Sequence, residues 1–283
     1  MLEWYYLATL SSLFMGISTL VEKKALKTEH PTAFSTSFAT TIAIVSLVFI
    51  PLADFKNVTL PILGIIYATS IISTVTYILT AKVYKHSSVS VATPILSSLP
   101  MLFVTIFAYV FLGEKLSLVQ YVSIAVLIIA TYFILSNHDE PKMKYISMLI
   151  LITVLSGIGF TISKYLLGGL INAFAFLILS EIFIAINMLA YMTLKFGGIK
   201  EVVHNTITNK FVIIAIVLLA ILYRLTFYFS IYTAAVSLAM PLRNTINVLL
   251  IVIGGGMIFK EGSIARKTLL ALVMVFCAYL LVS

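Results

Sequence analysis

The sequence predicts an all-α integral membrane protein: ten transmembrane helices arranged as two inverted five-helix repeats. Three observations carry that expectation. Of 283 residues, 61% are hydrophobic and 10% charged, whereas soluble domains carry about 25% charged residues, and the mean hydropathy is +1.15. The apolar residues come in ten continuous runs, each of the ~20-residue length that crosses a bilayer as a helix, not in the ~10-residue alternating segments of a barrel. Third, the second half of the chain repeats the first. An offset of 147 places Val89, Ser90, Ala92, Pro94, Leu102, Glu114, Val126, Tyr132 and Ser136 on Val236, Ser237, Ala239, Pro241, Leu249, Glu261, Val273, Tyr279 and Ser283. Near the start of each half the offset is 141, and Gly16, Ile17, Lys23 and Leu26 fall on Gly157, Ile158, Lys164 and Leu167.

Taken in order, the first span covers about 2–21. It lacks a basic n-region and a small-residue cleavage site, so it reads as a retained helix and not a signal peptide. The next four cover about 32–52, 60–82, 89–112 and 117–136. The loop Asn137-His138-Asp139-Glu140-Pro141-Lys142 then divides the chain into repeats 1–141 and 142–283. Five more spans follow at about 144–163, 170–194, 210–232, 235–259 and 267–283. The longest connection, about 195–209, is an amphipathic stretch with Lys195, Lys200, Glu201 and His204. No segment is left over for a sizeable soluble ATPase or receptor domain.

Loop charges orient the spans. Loops after odd-numbered spans hold thirteen basic residues: Lys23, Lys24, Lys27; Lys82, Lys85; Lys142, Lys144; Lys195, Lys200, Lys210; Lys260, Arg266, Lys267. Loops after even-numbered spans hold three: Lys56, Lys115 and Lys164. The positive-inside rule then predicts a multi-pass protein of the cell membrane with odd loops cytoplasmic and both termini outside. Equivalent loops of the two repeats carry opposite charge bias, as an odd number of helices per repeat requires. The net charge of +8 therefore reflects membrane flanks and the lipid bilayer as partner, not nucleic acid. A single cysteine, Cys277, excludes an intrachain disulfide and a thiolate metal cluster. No metal and no organic cofactor are expected.

Ten spans in two five-helix repeats resemble the EamA-type branch of the drug/metabolite transporter superfamily. In that family the first helix of each repeat carries a small residue with a Lys seven positions later, matched here by Gly16 with Lys23 and Gly157 with Lys164. The fourth helix runs from an Ala-Ser-like start through a Pro to Phe-Leu-Gly-Glu. Here it reads Val89-Ser90-Val91-Ala92-Thr93-Pro94 through Phe111-Leu112-Gly113-Glu114. The second copy, Val236-Ser237-Leu238-Ala239-Met240-Pro241 through Ile258-Phe259-Lys260-Glu261, departs at the Gly. The resemblance covers the whole chain. It implies transport of amino acids or other metabolites, drugs, sugars or nucleotide sugars, and a central cavity lined by spans 1, 3, 4, 6, 8 and 9.

Of the 18 basic and 10 acidic residues, only Glu181, Arg224 and Arg243 fall well inside a predicted span. Their distances from the span ends correspond to depths of ~12–17 Å in a hydrocarbon core of ~30 Å. A charge there costs at least ~2.5–3.5 kcal/mol on insertion scales, so it normally has a partner or a task. One reading pairs Glu181 with one arginine to fix packing. Another lets both arginines extend toward the headgroups. A third notes that two cations and one anion leave a positive surplus suited to a substrate carboxylate or phosphate, bound through the arginine fork. Glu181 would then tether an arginine or take a proton, which makes H+ the candidate coupling ion.

Comparing the copies sharpens the third reading. Arg224 stands at the position of Tyr77, Arg243 at that of Leu96, Asn244 at Ser97 and Asn247 at Pro100. Shared positions build the scaffold, and positions where one copy gains charge are the substrate candidates. Arg243 and Asn247 share a helix face, as do Arg224 and Tyr228, with Tyr232 a further turn on. Tyr223 and Tyr77 would add aromatic walls, although belt or core packing explains any single tyrosine as well. The candidate substrate-binding set is thus Arg224, Arg243, Asn244, Asn247, Tyr228, Tyr77 and Glu181. Pro94, Pro100 and Pro241 interrupt spans 4 and 9 as hinges or static bends. Ser12, Gly16 and Thr19, and Gly157 and Thr161, fit close helix packing, as does Gly254-Gly255-Gly256. Lys23 and Lys164 are entrance or anchoring charges near opposite faces. Glu114 and Glu261 precede spans 5 and 10, where acids meet the helix macrodipole favourably.

The expected function is a secondary transporter, an exporter, of a small polar or amphipathic metabolite such as an amino acid, working by alternating access as a monomer or homodimer. The alternatives are a sugar, nucleotide-sugar or cationic-drug carrier, then a channel or a structural membrane subunit. A membrane enzyme is disfavoured: His30, His86, His138 and His204 all lie in loops, and there is no HExxH, no paired intramembrane aspartate and no obvious Ser-His pair.

Overall fold

A computed structural model describes residues 3–26, 29–86, 89–135 and 143–259, with scattered residues between 269 and 280. The elements are α1 (Trp4–Leu26), α2 (Pro31–Ser46, continued by a 3-10 segment Leu47–Leu52), α3 (Leu60–His86), α4 (Val89–Leu112), α5 (Leu118–Leu135), α6 (Met143–Leu167), α7 (Ala173–Phe196), α8 (Lys200–Thr208), α9 (Lys210–Thr233) and α10 (Val236–Phe259). There is no strand among the described residues. Among the described residues eight helices, α1 to α4, α6, α7, α9 and α10, are long and apolar enough to cross a membrane, and α5 has a shorter apolar stretch, Leu118–Ala130. The chain is therefore a multi-pass, all-helical membrane protein. Most of the tenth expected span, together with Glu261 and the dividing loop 137–142, lies outside the described residues.

The sequence dictates the helix ends locally. Pro31 opens α2 at its first turn, where its missing N–H costs nothing, and His30 Nδ1 accepts from the Ala33 amide at 3.4 Å. Asn172 caps α7 by accepting from the amides of Phe174 and Ala175 at 2.8 and 3.1 Å. Gly197 ends α7 with φ 74°, a left-handed conformation that glycine adopts without a Cβ clash. The amphipathic stretch before α9 becomes α8, held to α2 by Ser37 Oγ donating to the Val202 carbonyl at 3.0 Å. Three helix ends differ from expectation by four or five residues, among them α6, expected to end at 163 and continuing to Leu167. The lysines suggested ends at 21 and 82, but α1 continues to Leu26 and α3 to His86. The Lys23 ammonium is buried and donates to the Tyr84 carbonyl, so the charge that marked the end of the apolar run is satisfied by protein and the helix need not stop there.

Large apolar side chains on the perimeter, including Ile44, Tyr109, Phe111, Leu194 and Phe211, are exposed, as lipid-facing positions require. Inside, α1 lies against α9 and α10, α6 against α3 and α4, α2 against α7 and α9, α3 against α7, and α4 against α10. Exchanging α1 with α6, α2 with α7, α3 with α9 and α4 with α10 turns this set of pairs into itself. One close contact exchanges residue for residue. A Cβ on Gly16 would meet Leu250 Cδ1 at 3.0 Å, and a Cβ on its counterpart Gly157 would meet Phe103 Cβ at 2.5 Å. Leu250 is Phe103 displaced by the same 147 residues as the repeat. Gly254 likewise admits Leu20, 2.6 Å from where its Cβ would be. Small residues thus let α1 approach α10 and α6 approach α4 closely, the packing that lipid-embedded helices depend on. Hydroxyls tie α1 to its neighbours: Ser11 Oγ donates to the Tyr223 carbonyl and Ser12 Oγ to the Arg243 carbonyl, each at 2.6 Å.

Candidate functional site

A cavity of ≈ 290 Å³ lies among these helices, at the small end of the ~300–1,000 Å³ usual for small-molecule sites. Its lining includes Met15, Ser18, Thr19 and Glu22 of α1, Ser70, Thr76, Tyr77, Thr80 and Tyr84 of α3, and Leu96 of α4. Ser156, Phe160 and Ser163 come from α6, Tyr223, Arg224, Phe227 and Tyr228 from α9, and Arg243 and Asn244 from α10. These are the six helices the family resemblance implies. The structure adds α2, with Ser35 and Phe38, and α7, with Phe176, Ser180, Glu181 and Ile184. Much of the wall is Ser and Thr, and several of these hydroxyls donate to carbonyls of their own helices, as Thr19 does to Met15 and Thr76 to Ser73. Such hydroxyls keep oxygen lone pairs to present to a guest.

The three intramembrane charges of the sequence all reach this cavity. Glu181 and Arg224, both buried, form an ion pair between Oε1 and Nη1. The Arg224 guanidinium also lies 5.7 Å from the ring centroids of Tyr77 and Tyr223 and 5.9 Å from that of Phe38. Arg243 is placed differently. Its guanidinium rests on Phe227 at 4.1 Å and near Phe160 at 5.3 Å, and Nη2 donates to Met15 Sδ at 3.2 Å. It is buried, has no carboxylate partner among the described residues, and its Nε has no hydrogen-bond partner there.

Asn244 lines the cavity and donates through Nδ2 to the Ser97 carbonyl at 2.7 Å, leaving its Oδ1 without a partner among the described residues. Tyr77 and Tyr228 line the cavity as expected. Asn247 does not. It is fully buried and turned to α4, donating to Ser97 Oγ at 3.3 Å, because the close α4–α10 seam claims that side of the helix. Tyr232 is exposed and also outside. The prolines do not break their helices: α4 is continuous through Pro94 and Pro100, and α10 through Pro241.

Glu22 is the residue that hydropathy missed, because the expected span stopped one residue before it. A signal was present. Met15, Ser18, Thr19 and Glu22 recur at helical spacing, and Ser18, Thr19 and Glu22 make a polar stripe on one face of α1. Its presence changes the charge count, because the cavity holds two arginines and two glutamates. The positive surplus expected from three residues is formally cancelled.

Residues 2–136, which include α1 to α5, match the EamA-like transporter family. The first half of the chain is thus similar to that transporter family. A solved structure described as "Crystal structure of protein" has the same fold, with a TM-score of 0.59 and 12% identity over 96% of this chain and 95% of its own. No curated protein matches the chain.

Lys164 and Glu114, both singled out by the family resemblance, hold the junction of α9 and α10. Lys164 Nζ donates to the carbonyls of Ile231 and Ala234 at 2.6 and 2.8 Å, satisfying the end of α9. Glu114 accepts from the amides of Val236 and Ser237 at 3.0 and 3.1 Å. It therefore caps α10, across the repeat boundary, and not the adjacent α5 to which its sequence position pointed. The gain is the pairing of a carboxylate with the free amides and positive end of a helix. Lys23 makes the equivalent bond to Tyr84, which is Ile231 less 147. Glu114→Ala is expected to lower stability by about 1–2 kcal/mol, read as a fall in the melting temperature of the detergent-solubilised protein. Unchanged melting would show that the cap contributes nothing.

Proposed function

We propose that the protein is a secondary carrier that moves a small polar metabolite across the cell membrane by alternating access. Its ten spans form two inverted repeats, 1–141 and 142–283, with both termini outside. The observation that carries this reading is a cavity lined by Glu22, Glu181, Arg224 and Arg243, between two sets of helices that exchange under the repeat offset.

The inversion is supported by the reversed loop charges and by the contact between Asn244 and Ser97. These residues are 147 apart and equivalent in the two copies, and equivalent positions touch only beside a twofold axis. A twofold axis in the membrane plane gives outward- and inward-open forms of equivalent construction, with the site near the midplane. Arg243 and Asn244 bind the substrate, Tyr77 and Tyr228 form aromatic walls, and the Glu181–Arg224 pair fixes the adjoining wall. Net export, with H+ as the coupling ion, is the expected direction. All these groups come from one chain, so the site needs no partner subunit.

The test is reconstitution of the purified protein in liposomes under an imposed proton gradient, with labelled amino acids, sugars and a cationic drug as probes. Saturable, gradient-stimulated movement of one class is expected. Movement of none of them would overturn the carrier reading.

A further inference from the structure

We infer that Glu22 is the cation-binding pole of the cavity and that the substrate is a zwitterion, with its carboxylate at Arg243 and its ammonium at Glu22. This rests on the carrier reading and names the substrate class of the same site.

Four charged side chains line the cavity. Glu181 and Arg224 pair with each other. Arg243 and Glu22 have no ion-pair partner among the described residues. Each is thus an uncompensated charge facing the same small space, the arrangement least stable when empty and most improved by a guest of opposite polarity at both ends. An anion would satisfy Arg243 and leave Glu22 repelling it. A cation would do the reverse. A zwitterion satisfies both and leaves the net charge of the cavity unchanged.

The spacing agrees. Arg243 touches Met15, and Glu22 follows Met15 on the same face of α1 by two turns, an axial rise of about 10 Å. A charge-assisted hydrogen bond of ~2.8 Å at each end and an α-amino carboxylate between them span about 9 Å. Asn244 also lines the cavity, and its Oδ1 has no hydrogen-bond partner among the described residues. The hydroxyl-lined wall of α3, with Thr76 and Thr80, and the rings of Tyr77 and Tyr223 receive its side chain.

The experiment uses matched probes in the liposome assay: free amino acids, their N-acetyl derivatives, which are anions, and their methyl esters, which are cations. Wild type is expected to move at least one free amino acid tenfold or more faster than either derivative. Glu22→Gln is expected to slow the free amino acid at least tenfold and to erase its advantage over the N-acetyl form, and Glu22→Asp to restore part of the loss. Variants are compared only as monodisperse protein with wild-type melting temperature. Should Glu22→Gln not fold, Glu22→Asp alone carries the test through a reduced ratio of free to N-acetylated probe. Unchanged selectivity in the folded variants, or a wild type that prefers an anion, a cation or a sugar, overturns the zwitterion assignment and leaves the carrier standing. A wild type that moves no probe of any class removes both.

Discussion

Replacing Arg243 by leucine is expected to reduce transport at least ~100-fold while the protein folds normally. Hydrogen bonds to charged groups contribute about 1.5–3 kcal/mol each, and a guanidinium offers two to one carboxylate. Every 1.4 kcal/mol is a factor of ~10 in binding, so losing even one strong bond and part of a second gives the stated effect. Stability should hold or rise. The guanidinium is buried on Phe160 and Phe227 and touches Met15, an environment in which an aliphatic side chain is at home and an unpaired charge is not. Arg243→Lys keeps the charge without the planar fork, so it should fall between the two. Initial rates in liposomes and melting temperature in detergent separate the effects. Wild-type transport by the leucine variant would remove Arg243 from the site.

Much of this was legible in the sequence because membrane helices obey strong local rules. Every backbone polar group must be satisfied within the segment, so span positions follow from apolar run length, and all the helix starts and ends described here lie within a few residues of expectation. The repeat offset relates contacts that no local rule could give and that the sequence reading did not name: Gly16 with Leu250 mirrors Gly157 with Phe103, and Lys23 with Tyr84 mirrors Lys164 with Ile231. Copy comparison brought Arg224, Arg243 and Asn244 to one cavity. It failed where helix rotation decides. Asn247 was placed with Arg243 by its spacing of four, yet four residues advance around the helix by ~40°, enough at a close seam to turn it to α4. Glu22 was lost for the opposite reason. Hydropathy averages over a window, and a glutamate beside two lysines looks like the end of a membrane segment even when the helix carries it inward. Glu114 shows a third limit, since a cap formed across the repeat boundary has no signature in the residues adjacent to it.

The Glu181–Arg224 pair should give the largest stability effects, and unequal ones. Removing one partner of a buried ion pair typically costs 3–5 kcal/mol because the other is left charged and alone. Glu181→Leu leaves Arg224 against the faces of Phe38, Tyr77 and Tyr223, and contacts of that kind each return about 0.5–2 kcal/mol. Arg224→Leu leaves Glu181 with no such compensation, its Oε2 already without a hydrogen-bond partner among the described residues. Arg224→Leu is therefore expected to be the more destabilising single change, and the double replacement Glu181→Leu with Arg224→Leu to recover most of the loss, since it removes both charges together. Unfolding of all three variants in the same detergent tests the order. Transport by the double variant then separates structure from function. A stable double variant that no longer transports assigns the pair to the site, through the wall it holds beside Arg243. A stable double variant that transports normally shows that the pair only fixes the packing of α7 on α9, and leaves Arg243 and Glu22 as the charges that act on the substrate.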